Sequence, residues 1–411
     1  MSKIRIKNFG PIKEGLVDKN EWIDVKKVTL FIGNQGSGKS TIAKVISTFV
    51  WIEKVLVRGD YSINWFEKKN RLKNQLLKYH RLENYFHNNG ENKTQIQYVG
   101  VAYTIGYSEG ILKIRKNPER TYELPQIMYV PAERNFISYV KTPRELKLSS
   151  PSLAEFLVEF DNAKQSLKKG EKMPINDTEV EYDRLNDTLN LKGEGYKVKI
   201  SDSSSGFQSS VPLYIVSSFL AKSVKHQSNN SEELMTGEEK ERFREETKEI
   251  LNNNYLTTEQ KRIALSVLTK KFNKSSFVNI VEEPEQNLFP TSQRKILNKL
   301  LEFNNMCSGN KLIITTHSPY LINYLSLAVK TNQLKNKTDS KELLLEIEKI
   351  TPLSSTINPQ DLVIYQLDES DGTIRELELY KGLPTDENIL NAKLDETNAL
   401  FGQLLELQQK I

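Results

Sequence analysis

Short apolar runs alternate with polar and glycine-rich segments along this chain, and they predict buried strands joined to helices. Three runs are rich in β-branched residues: 28–32 (VTLFI), 277–281 (FVNIV) and 311–316 (KLIITT). Runs of this length and composition are typical of strands in the interior of a sheet. Residues 42–46 and 211–220 are apolar and follow glycine-containing turns, which predicts a helix after each turn. We therefore expect an α/β protein.

A second pattern, in residues 1–32 and 92–130, alternates apolar and polar positions with a period of two. The segments 94–99 (TQIQYV) and 110–114 (GILKI) show it clearly. This period is typical of strands that bury only one face.

The first buried run leads into the most informative motif of the chain, Gly33-Asn34-Gln35-Gly36-Ser37-Gly38-Lys39-Ser40-Thr41. The spacing G-x-x-x-x-G-K-S between a strand and a helix is that of a phosphate-binding loop, or P-loop. Its glycines let successive N–H groups face one anion, and the helix adds the positive end of its dipole. The candidate nucleotide-binding residues are Asn34, Gly36, Ser37, Gly38, Lys39, Ser40 and Thr41. We expect Lys39 to reach the β- and γ-phosphates and Ser40 to bind Mg²⁺. A glycine turn that merely joins a strand to a helix is the alternative.

Two carboxylates follow the second buried run, in Glu282-Glu283-Pro284-Glu285. At a strand end they fit a Mg²⁺ and water site, with Glu282 holding the metal and Glu283 polarising the attacking water. The third run delivers His317, which is suited to orienting that water by hydrogen bonding to the γ-phosphate. An ordinary acidic loop and an ordinary core or surface histidine are the alternatives.

A serine-rich turn precedes the apolar stretch 211–220, with Ser204 and Gly206 at its centre. A Ser-x-Gly turn that opens a helix presents backbone N–H groups and a hydroxyl to an anion. Because one P-loop already holds the phosphates of one nucleotide, a second such turn suggests that another copy of the protein completes the site. A plain N-cap cluster is the alternative.

The composition removes several chemistries. The 411 residues allow roughly two to four domains or one large α/β unit. The formal net charge of +5 excludes a chain that binds nucleic acid indiscriminately through its overall positive charge. It does not exclude a local basic patch. One cysteine, Cys307, and four histidines exclude an intramolecular disulfide and an ordinary zinc cluster. The N-terminus has no apolar signal region and no apolar run is long enough to span a membrane, so we expect a cytoplasmic protein.

The order of the motifs resembles that of the ABC-class ATPases: a P-loop, then SSGFQ (204–208), EEPE (282–285) and TTHSP (315–319). Within that class the chain resembles the branch that includes SMC and RecF-type DNA-repair proteins, the OLD ATPases, and the PtuA and AriA ATPases of antiphage systems. Three local segments support this branch: 4–12 (IRIKNFGPI), 129–134 (YVPAER) and 363–367 (VIYQL) ahead of Asp371-Gly372.

The resemblance implies an ABC-type ATPase head with a central, mainly parallel sheet that carries the P-loop, an antiparallel β-layer and a helical signature subdomain. It also implies ATP and Mg²⁺ as cofactors and a homo-oligomer, at least a head-to-tail dimer. Each ATP would be enclosed by Lys39, Ser40, Glu282, Glu283 and His317 of one subunit and by Ser204 and Gly206 of the other.

The chain departs from the family pattern at three places. Glu282-Glu283 stands where most relatives have Asp-Glu, which leads us to expect slow hydrolysis. The signature lacks the usual Leu and second Gly. In the ABC-class pattern a glutamine bridges Mg²⁺ to the attacking water, and Gln126 is the candidate for this role here. The alternative is that Gln126 is an ordinary polar residue of a strand.

We expect four regions: an N-terminal ATPase lobe (1–141), a helical subdomain with the signature and a charged insertion (142–262), a C-terminal ATPase lobe (263–380) and a C-terminal helix (381–411). The first contains a basic helical insertion (65–91), in which Lys and Arg are interleaved with Tyr79 and Tyr85. Such a segment suits nucleic acid, and a solvated helix face is the stronger alternative. For the C-terminal helix, packing on its own head is favoured over subunit assembly.

No nuclease can be assembled from this sequence. About sixty residues follow Thr351, and their acidic cluster, 368–371, has the wrong spacing for the Toprim domain that OLD proteins carry. Our first hypothesis is therefore an ATPase sensor or scaffold of a bacterial antiphage system that controls a separate nuclease or toxin subunit. The alternative is a RecF/SMC-like ATPase that clamps DNA in its ATP state. A transporter subunit is disfavoured.

Overall fold

The fold was analysed in a computed structural model. It describes residues 2–409 except 19–20, 88–92, 119–120, 140–149, 168–169, 227–236, 254, 258–259, 262–263, 266–267 and 269–271. The described strands are β1 (Ser2–Lys7), β2 (Gly15–Leu16), β3 (Ile23–Val25), β4 (Val28–Gly33), β5 (Gln95–Val99), β6 (Tyr103–Ser108), β7 (Ile111–Lys116), β8 (Pro125–Val130), β9 (Glu171–Lys172), β10 (Glu179–Asp183), β11 (Thr188–Gly193), β12 (Tyr196–Lys199), β13 (Ser276–Glu282), β14 (Lys311–Thr316), β15 (Leu362–Leu367), β16 (Thr373–Glu376), β17 (Leu379–Tyr380) and β18 (Leu383–Pro384). The described α-helices are α1 (Lys39–Arg58), α2 (Ile63–Phe66), α3 (Pro151–Ser166), α4 (Ser205–His226), α5 (Gly237–Asn252), α6 (Pro290–Asn304), α7 (Pro319–Lys335), α8 (Lys341–Ile350) and α9 (Ile389–Gln408).

A seven-stranded sheet forms the centre of the molecule, in the order β2-β16-β15-β4-β14-β13-β8. The five strands from β15 to β8 are mutually parallel, and β16 returns antiparallel beside β15. The three apolar runs of the sequence are the central strands β4, β13 and β14. Because their carboxyl ends meet at one edge of the sheet, the P-loop, the acidic pair and His317 are carried to the same edge.

Both faces of this sheet are covered, which explains why its strands are apolar without interruption. On one face Leu30 and Ile314 pack in a core cluster with helices α3, α4, α6 and α7. On the other face Phe31 and Ile313 pack in a second cluster with α1 and the N-terminal strands. Strands buried on both sides need apolar residues at successive positions.

A five-stranded antiparallel sheet, β3-β1-β5-β6-β7, covers α1 from the outside. Its strands bury alternate residues, such as Ile4 and Ile6 of β1 and Ile96 and Tyr98 of β5. The strands predicted from the period of two are therefore confirmed. The predicted fold class, α/β with a mainly parallel central sheet and an antiparallel layer, is confirmed with them.

The region that carries the serine-rich turn consists of two helices, α3 and α4, and of a four-stranded antiparallel sheet, β12-β11-β10-β9. The sequence did not predict this sheet. Its strands read EVEYD and TLNLKG and bury few side chains, chiefly Val180, Leu189 and Leu191. Both segments alternate apolar and polar residues, so the signal for half-buried strands was present in the sequence and was missed.

The basic insertion is less regular than the predicted helix. Between residues 63 and 80 it forms α2 and two further short helical segments, and left-handed residues interrupt it at Asn70 and Arg81 (φ 59° each). Tyr79 donates its hydroxyl to Glu155, and Tyr85 packs against Phe9 with ring centroids 5.9 Å apart. Both tyrosines are engaged within the fold, which favours the solvated-face interpretation. Residues 88–91 of the predicted insertion lie outside the described residues.

The charged insertion contains α5, whose Arg242 pairs with Asp60 near the end of α1 and with Glu246 one turn on. The contact with Glu246 joins residues i and i+4 on one face of the helix. Residues 227–236 lie outside the described residues.

The C-terminal helix α9 is only partly packed. Ile389 and Leu390 contact the main core, and the Asn388 side chain caps the helix by accepting from two backbone N–H groups. The apolar residues of its last three turns are 45–62% exposed: Leu400, Phe401, Leu404, Leu405 and Leu407. The expectation that the helix packs on its own head holds for its first turn only, and the exposed stripe favours the assembly alternative. The side chain of Leu394, also part of the predicted stripe, lies outside what the structure describes.

Candidate functional site

The loop after β4 has a backbone that only glycine accommodates at several positions. A Cβ on Gly33 would lie 2.4 Å from the carbonyl oxygen of Leu367, and one on Gly38 would lie 3.0 Å from the side chain of Ile12. Gly36 has open space around it, and its φ of 77° is left-handed. The loop is therefore held close to β15 and to the β1–β2 turn, and its shape is fixed before any ligand binds.

Lys39 lies folded back on this loop. Its Nζ donates to the carbonyl oxygens of Gly33 (3.0 Å) and Asn34 (2.7 Å), and the residue is 5% exposed. Burial lowers the pKa of Lys39 to about 8, although nearby carboxylates oppose the shift. A buried ammonium with only carbonyl partners is suited to exchanging them for phosphate oxygens.

The remaining loop residues surround this ammonium. Asn34 donates to Glu369 (2.8 Å), and Ser37 donates to the Asn34 carbonyl (2.8 Å). Ser40 is half-buried in the first turn of α1 and Thr41 is buried. The seven predicted loop residues thus lie together at the end of β4, and their contacts with nucleotide stay predictions.

Glu282 ends β13 with its side chain buried (4% exposed) and only half satisfied. Its Oε2 accepts from the N–H of Ala132 (3.1 Å), whereas Oε1 has no hydrogen-bond partner in the described part of the chain. The nearest cation is the Nζ of Lys44, at 4.0 Å from Oε1. Because Lys44 lies four residues after Ser40, the two share one face of α1, which turns Ser40 toward the same region.

Ser40 and Glu282 fit a Mg²⁺ site. Mg²⁺ prefers oxygen ligands and is commonly bound through one or two protein groups together with substrate phosphates. A buried carboxylate oxygen without a partner is costly and indicates a missing cation or donor. Among the described residues no group of three or more His, Cys, Asp or Glu forms a metal cage by itself. The phosphates of a nucleotide would have to complete the coordination.

Glu283 follows in a strained backbone conformation, with φ of 44°. Its Oε1 lies 3.5 Å from the Nε2 of His317, and both side chains are about one-third exposed. The imidazole beside it lowers the pKa of Glu283, so the carboxylate is ionised at neutral pH. The pair predicted from sequence is thus brought together at the open edge of the sheet.

Glu285 was not predicted as a site residue, and it positions His317. Its Oε1 accepts from the Thr316 hydroxyl (2.6 Å) and from the His317 backbone N–H (2.8 Å). Burial raises the pKa of Glu285 despite these hydrogen bonds. The EEPE motif contained the signal, because a third carboxylate lies two residues after Glu283 with no role assigned to it.

Arg134 is the second residue that the sequence did not identify. It is fully buried, and its guanidinium donates to four backbone carbonyls, those of Ser209 (3.1 Å), Pro131 (3.1 Å), Glu282 (2.6 Å) and Glu283 (2.5 Å). One side chain therefore joins the end of β8, the acidic pair and the first turns of α4. The segment YVPAER was noted only for its resemblance to the OLD-like ATPases.

Ser204 and Gly206 lie at the start of α4, next to the loop after β13 rather than beside the P-loop. A Cβ on Gly206 would lie 2.8 Å from the carbonyl oxygen of Asn287, and Asn287 donates to Ser209 (3.0 Å). Ser204 is exposed. Among the residues that the structure describes, no hydrogen bond joins this turn to the P-loop, so it faces outward.

Gln126 lies at the wrong end of the sheet for the bridging role considered for it. It is the second residue of β8 and pairs in register with Phe277, five residues before Glu282. At about 3.3 Å per residue these positions are about 16 Å apart along the strand direction. The sequence alone could not give this register, because β8 and β13 are 150 residues apart. The bridging role is therefore wrong, and Gln126 is a strand residue, as the alternative held.

No known protein family model and no curated protein matches this sequence. Solved structures do resemble it. The SMC head domain from Thermotoga maritima is 12% identical, with 92% of this chain and 98% of that chain covered and a TM-score of 0.35. The Smc head domain with an extended coiled coil, bound to the C-terminal domain of ScpA and derived from Pyrococcus furiosus, is 11% identical over 98% and 100% of the chains, with a TM-score of 0.35. A nucleotide-free ATP-binding cassette from an ABC transporter is 14% identical over 93% of each chain, with a TM-score of 0.29. Similarity at this level does not indicate the function of this chain, which depends on the residues of the site.

None of the described helices has a stretch that is both long and apolar enough to cross a lipid bilayer.

Proposed function

We propose that this protein is a Mg²⁺-dependent ATPase that binds ATP at the loop after β4 and hydrolyses it with Glu283 as the general base. The observation that carries the proposal is the meeting of three groups at the carboxyl ends of adjacent parallel strands. These are the buried ammonium of Lys39, the unpartnered oxygen of Glu282 and the contact between Glu283 and His317. Together they supply a phosphate site, a metal ligand and an ionised base.

In the binding step, Lys39 releases the carbonyl oxygens of Gly33 and Asn34 and donates to the β- and γ-phosphates instead. Backbone N–H groups of the loop and the amino terminus of α1 face the same anion. Ser40 and Glu282 would hold Mg²⁺, which neutralises phosphate charge when it is bound.

In the chemical step, water attacks the γ-phosphorus, the bond from that phosphorus to the bridging oxygen breaks, and ADP and phosphate leave. Glu283 takes the proton of the attacking water, for which its lowered pKa keeps it ionised. His317 donates to the γ-phosphate or the water. Glu285 fixes the backbone of His317 by accepting its N–H. The strained φ of Glu283 is held by the Arg134 hydrogen bond to its carbonyl oxygen.

We propose further that a second copy of the chain completes the site, with the Ser204–Gly206 turn of one copy closing on the P-loop of the other. This turn opens a helix of 22 residues, and its backbone is fixed by two hydrogen bonds from Gln208 and by the contact of Gly206 with Asn287. Its rigidity and exposure suit a preformed anion site that has no phosphate partner in its own subunit. ATP would then link two heads, and hydrolysis would release them.

The affinity for ATP tests the role of Lys39 through its pH dependence. Burial lowers the pKa of Lys39 to about 8 in the free protein, whereas phosphate contact would keep the ammonium charged. The binding contribution of this charge is therefore present at pH 7.5 and is lost as the pH rises through 8. We expect the Kd for Mg-ATP to rise on the order of tenfold between pH 7.5 and pH 9, measured by isothermal titration.

The Lys39→Ala variant provides the control. It should bind Mg-ATP about 10²- to 10⁴-fold more weakly at pH 7.5, since two charge-assisted hydrogen bonds of about 1.5–3 kcal/mol each are lost. Its remaining affinity should not change between pH 7.5 and 9. A wild-type Kd that does not change between pH 7.5 and pH 9 would show that Lys39 does not contact the phosphates.

We also propose that this ATPase is the sensor or scaffold of an antiphage system and controls a separate nuclease or toxin subunit. The proposal rests on the resemblance of the motifs to PtuA- and AriA-type ATPases. The RecF-like DNA clamp gains no support from Tyr79 and Tyr85, since both are engaged within the fold.

Purification of the full chain from its native host distinguishes these roles. We expect the Glu283→Gln variant, held in its ATP state, to co-purify in stoichiometric amount with a second protein that has nuclease or toxic activity. Wild-type chain purified without ATP is the comparison. Recovery of DNA without any protein partner would contradict the role in defence and support the DNA clamp.

A further inference from the structure

A cavity of about 360 Å³ lies behind the phosphate-binding helix, away from the P-loop. It is lined by the second half of α1, the helical segments at 72–80, β8 from Gln126 to Tyr129 and one face of α3. We propose that this cavity is a second binding site, which takes a nucleoside or a nucleoside monophosphate. The inference goes beyond the proposed ATPase activity and does not depend on it.

The cavity is separate from the site at the sheet edge. Its α1 residues begin at Ser47 and end at Arg58, which are eight and nineteen residues beyond Lys39. At about 1.5 Å per residue these positions lie about 12 and 28 Å along the helix from the P-loop lysine. Gln126 lines the cavity at the opposite end of the sheet from the acidic pair. A ligand here would not occupy the phosphate loop.

Aromatic side chains form a large part of the wall. Trp51, Tyr79, His80 and Tyr129 come from three different elements, and the rings of His80 and Tyr129 meet edge to face at 4.8 Å. Burial lowers the pKa of His80 to about 3, so its imidazole is neutral at physiological pH. Neutral rings and an indole offer flat, polarisable faces that suit a planar heterocycle.

Three buried polar atoms in this wall have no hydrogen-bond partner among the residues that the structure describes. They are the Nδ1 of His80, the Oε1 of Gln126 and the hydroxyl oxygen of Tyr129, and their residues are 3%, 7% and 4% exposed. Such atoms are rare in folded proteins, because a buried polar group that is left unpaired destabilises the fold. The edge of a nucleobase carries both N–H donors and ring-nitrogen acceptors, so one base could satisfy an amide oxygen and an imidazole nitrogen together.

The charges around the cavity suit a ligand that has a neutral ring and an anionic end. Lys54 and Lys274 line it together with the carboxylates Glu155 and Glu159, and Arg58, also in the wall, is ion-paired with Asp60. Burial raises the pKa of Glu159, although the hydrogen bond from Asn162 and the charges of the two lysines oppose the shift. Cations bind phosphate, whereas a carboxyl group and a glutamine amide read the edge of a base.

The volume sets the size of the ligand. Sites for small molecules commonly range over about 300–1,000 Å³, so a cavity of about 360 Å³ lies at the small end. This admits one nucleoside unit and excludes an oligonucleotide. Whether the 5′-phosphate is present is decided by the experiment.

The experiment uses the full chain with the Lys39→Ala substitution, which weakens binding at the proposed ATP site. Adenosine, guanosine, cytidine, uridine and their four 5′-monophosphates are titrated one by one by calorimetry. We expect at least one of them to bind with a Kd below about 1 mM. Tighter binding of the monophosphate than of its nucleoside assigns the cationic side chains to phosphate, and equal binding assigns the site to the nucleoside alone.

Two further variants link the binding to the cavity. Gln126→Leu and Trp51→Leu should each weaken the binding at least tenfold. Gln126→Leu replaces an unsatisfied buried amide by an apolar group of similar size, so its thermal midpoint should not fall. Gln95→Leu, at an exposed position of β5, is the matched control and should bind as the parent does.

Absence of binding for all eight compounds at 1 mM, with a thermal midpoint that shows the parent to be folded, overturns the proposal. Unchanged affinity in both cavity variants overturns it equally. Because every titration is done without Lys39, either outcome leaves the ATPase proposal to be judged on its own tests.

Discussion

Replacement of Glu283 by glutamine should lower the rate of ATP hydrolysis by roughly 10²- to 10⁴-fold, the contribution of a general base. The amide is nearly isosteric with the carboxylate and cannot take the proton of the attacking water. Its contact with His317 at 3.5 Å and the strained backbone remain, so the shape of the site is kept. We expect the Kd for Mg-ATP to stay within about threefold of wild type, since glutamine removes no group that faces the phosphates.

Single-turnover hydrolysis and equilibrium binding measure these two quantities separately. Glu133→Gln is a matched control, because it makes the same change of charge near the site at an exposed position. The rate for the control should be within about twofold of wild type. If ATP links two heads, Glu283→Gln with ATP should run as a larger species than wild type with ADP. Hydrolysis by Glu283→Gln at the wild-type rate would assign the base to another residue.

Replacement of Arg134 by leucine should lower the free energy of unfolding by about 3–5 kcal/mol, the range seen when a buried charged network loses one partner. The side chain is fully buried, and its loss leaves four carbonyl oxygens without their donor. Leucine fills part of the volume and satisfies none of them. Arg134→Lys keeps the charge but lacks the fork of donors, so we expect it to recover less than half of the loss.

Urea denaturation followed by circular dichroism measures this change. Arg375→Leu is the control: Arg375 is exposed, its contact with Asp371 is 4.0 Å long, and its removal should cost no more than about 0.5 kcal/mol. The ATPase rate of Arg134→Leu can also be measured, at urea concentrations at which the variant is still folded. That rate should be low, because the carbonyls of Glu282 and Glu283 lose their anchor. A loss of less than 1 kcal/mol for Arg134→Leu would show that the four hydrogen bonds are not formed together.

The residues of the P-loop, the acidic pair and His317 could be predicted because each motif is contiguous with an apolar strand. A buried strand of a parallel sheet must end at the same edge as its neighbours, so Lys39, Glu282 and His317 had to approach one another once three such strands were recognised. The geometry of the site thus followed from local patterns and one topological rule.

Arg134 and Gln126 could not be placed in the same way. Arg134 acts through backbone carbonyls of residues about 75 and 150 positions away. Because every residue has a backbone carbonyl, the sequence does not show which of them accept from Arg134. The position of Gln126 depends on the register between β8 and β13, which only the folded sheet defines. Side chains whose partners are distant backbone atoms leave no pattern of spacing that a reader of the sequence could use.

The position of β4 in the sheet also has a consequence for the time at which the protein becomes able to fold. β4 comes from residues 28–33, yet it lies between β14, from residues 311–316, and β15, from residues 362–367. Ribosomes add about 5–20 residues per second, so more than 300 residues pass, over some tens of seconds, before both neighbours of β4 exist. Throughout that interval the P-loop has been synthesised but lacks the strands that shape it. Fragments that stop short of residue 362 would keep one edge of β4 open to pairing with other chains.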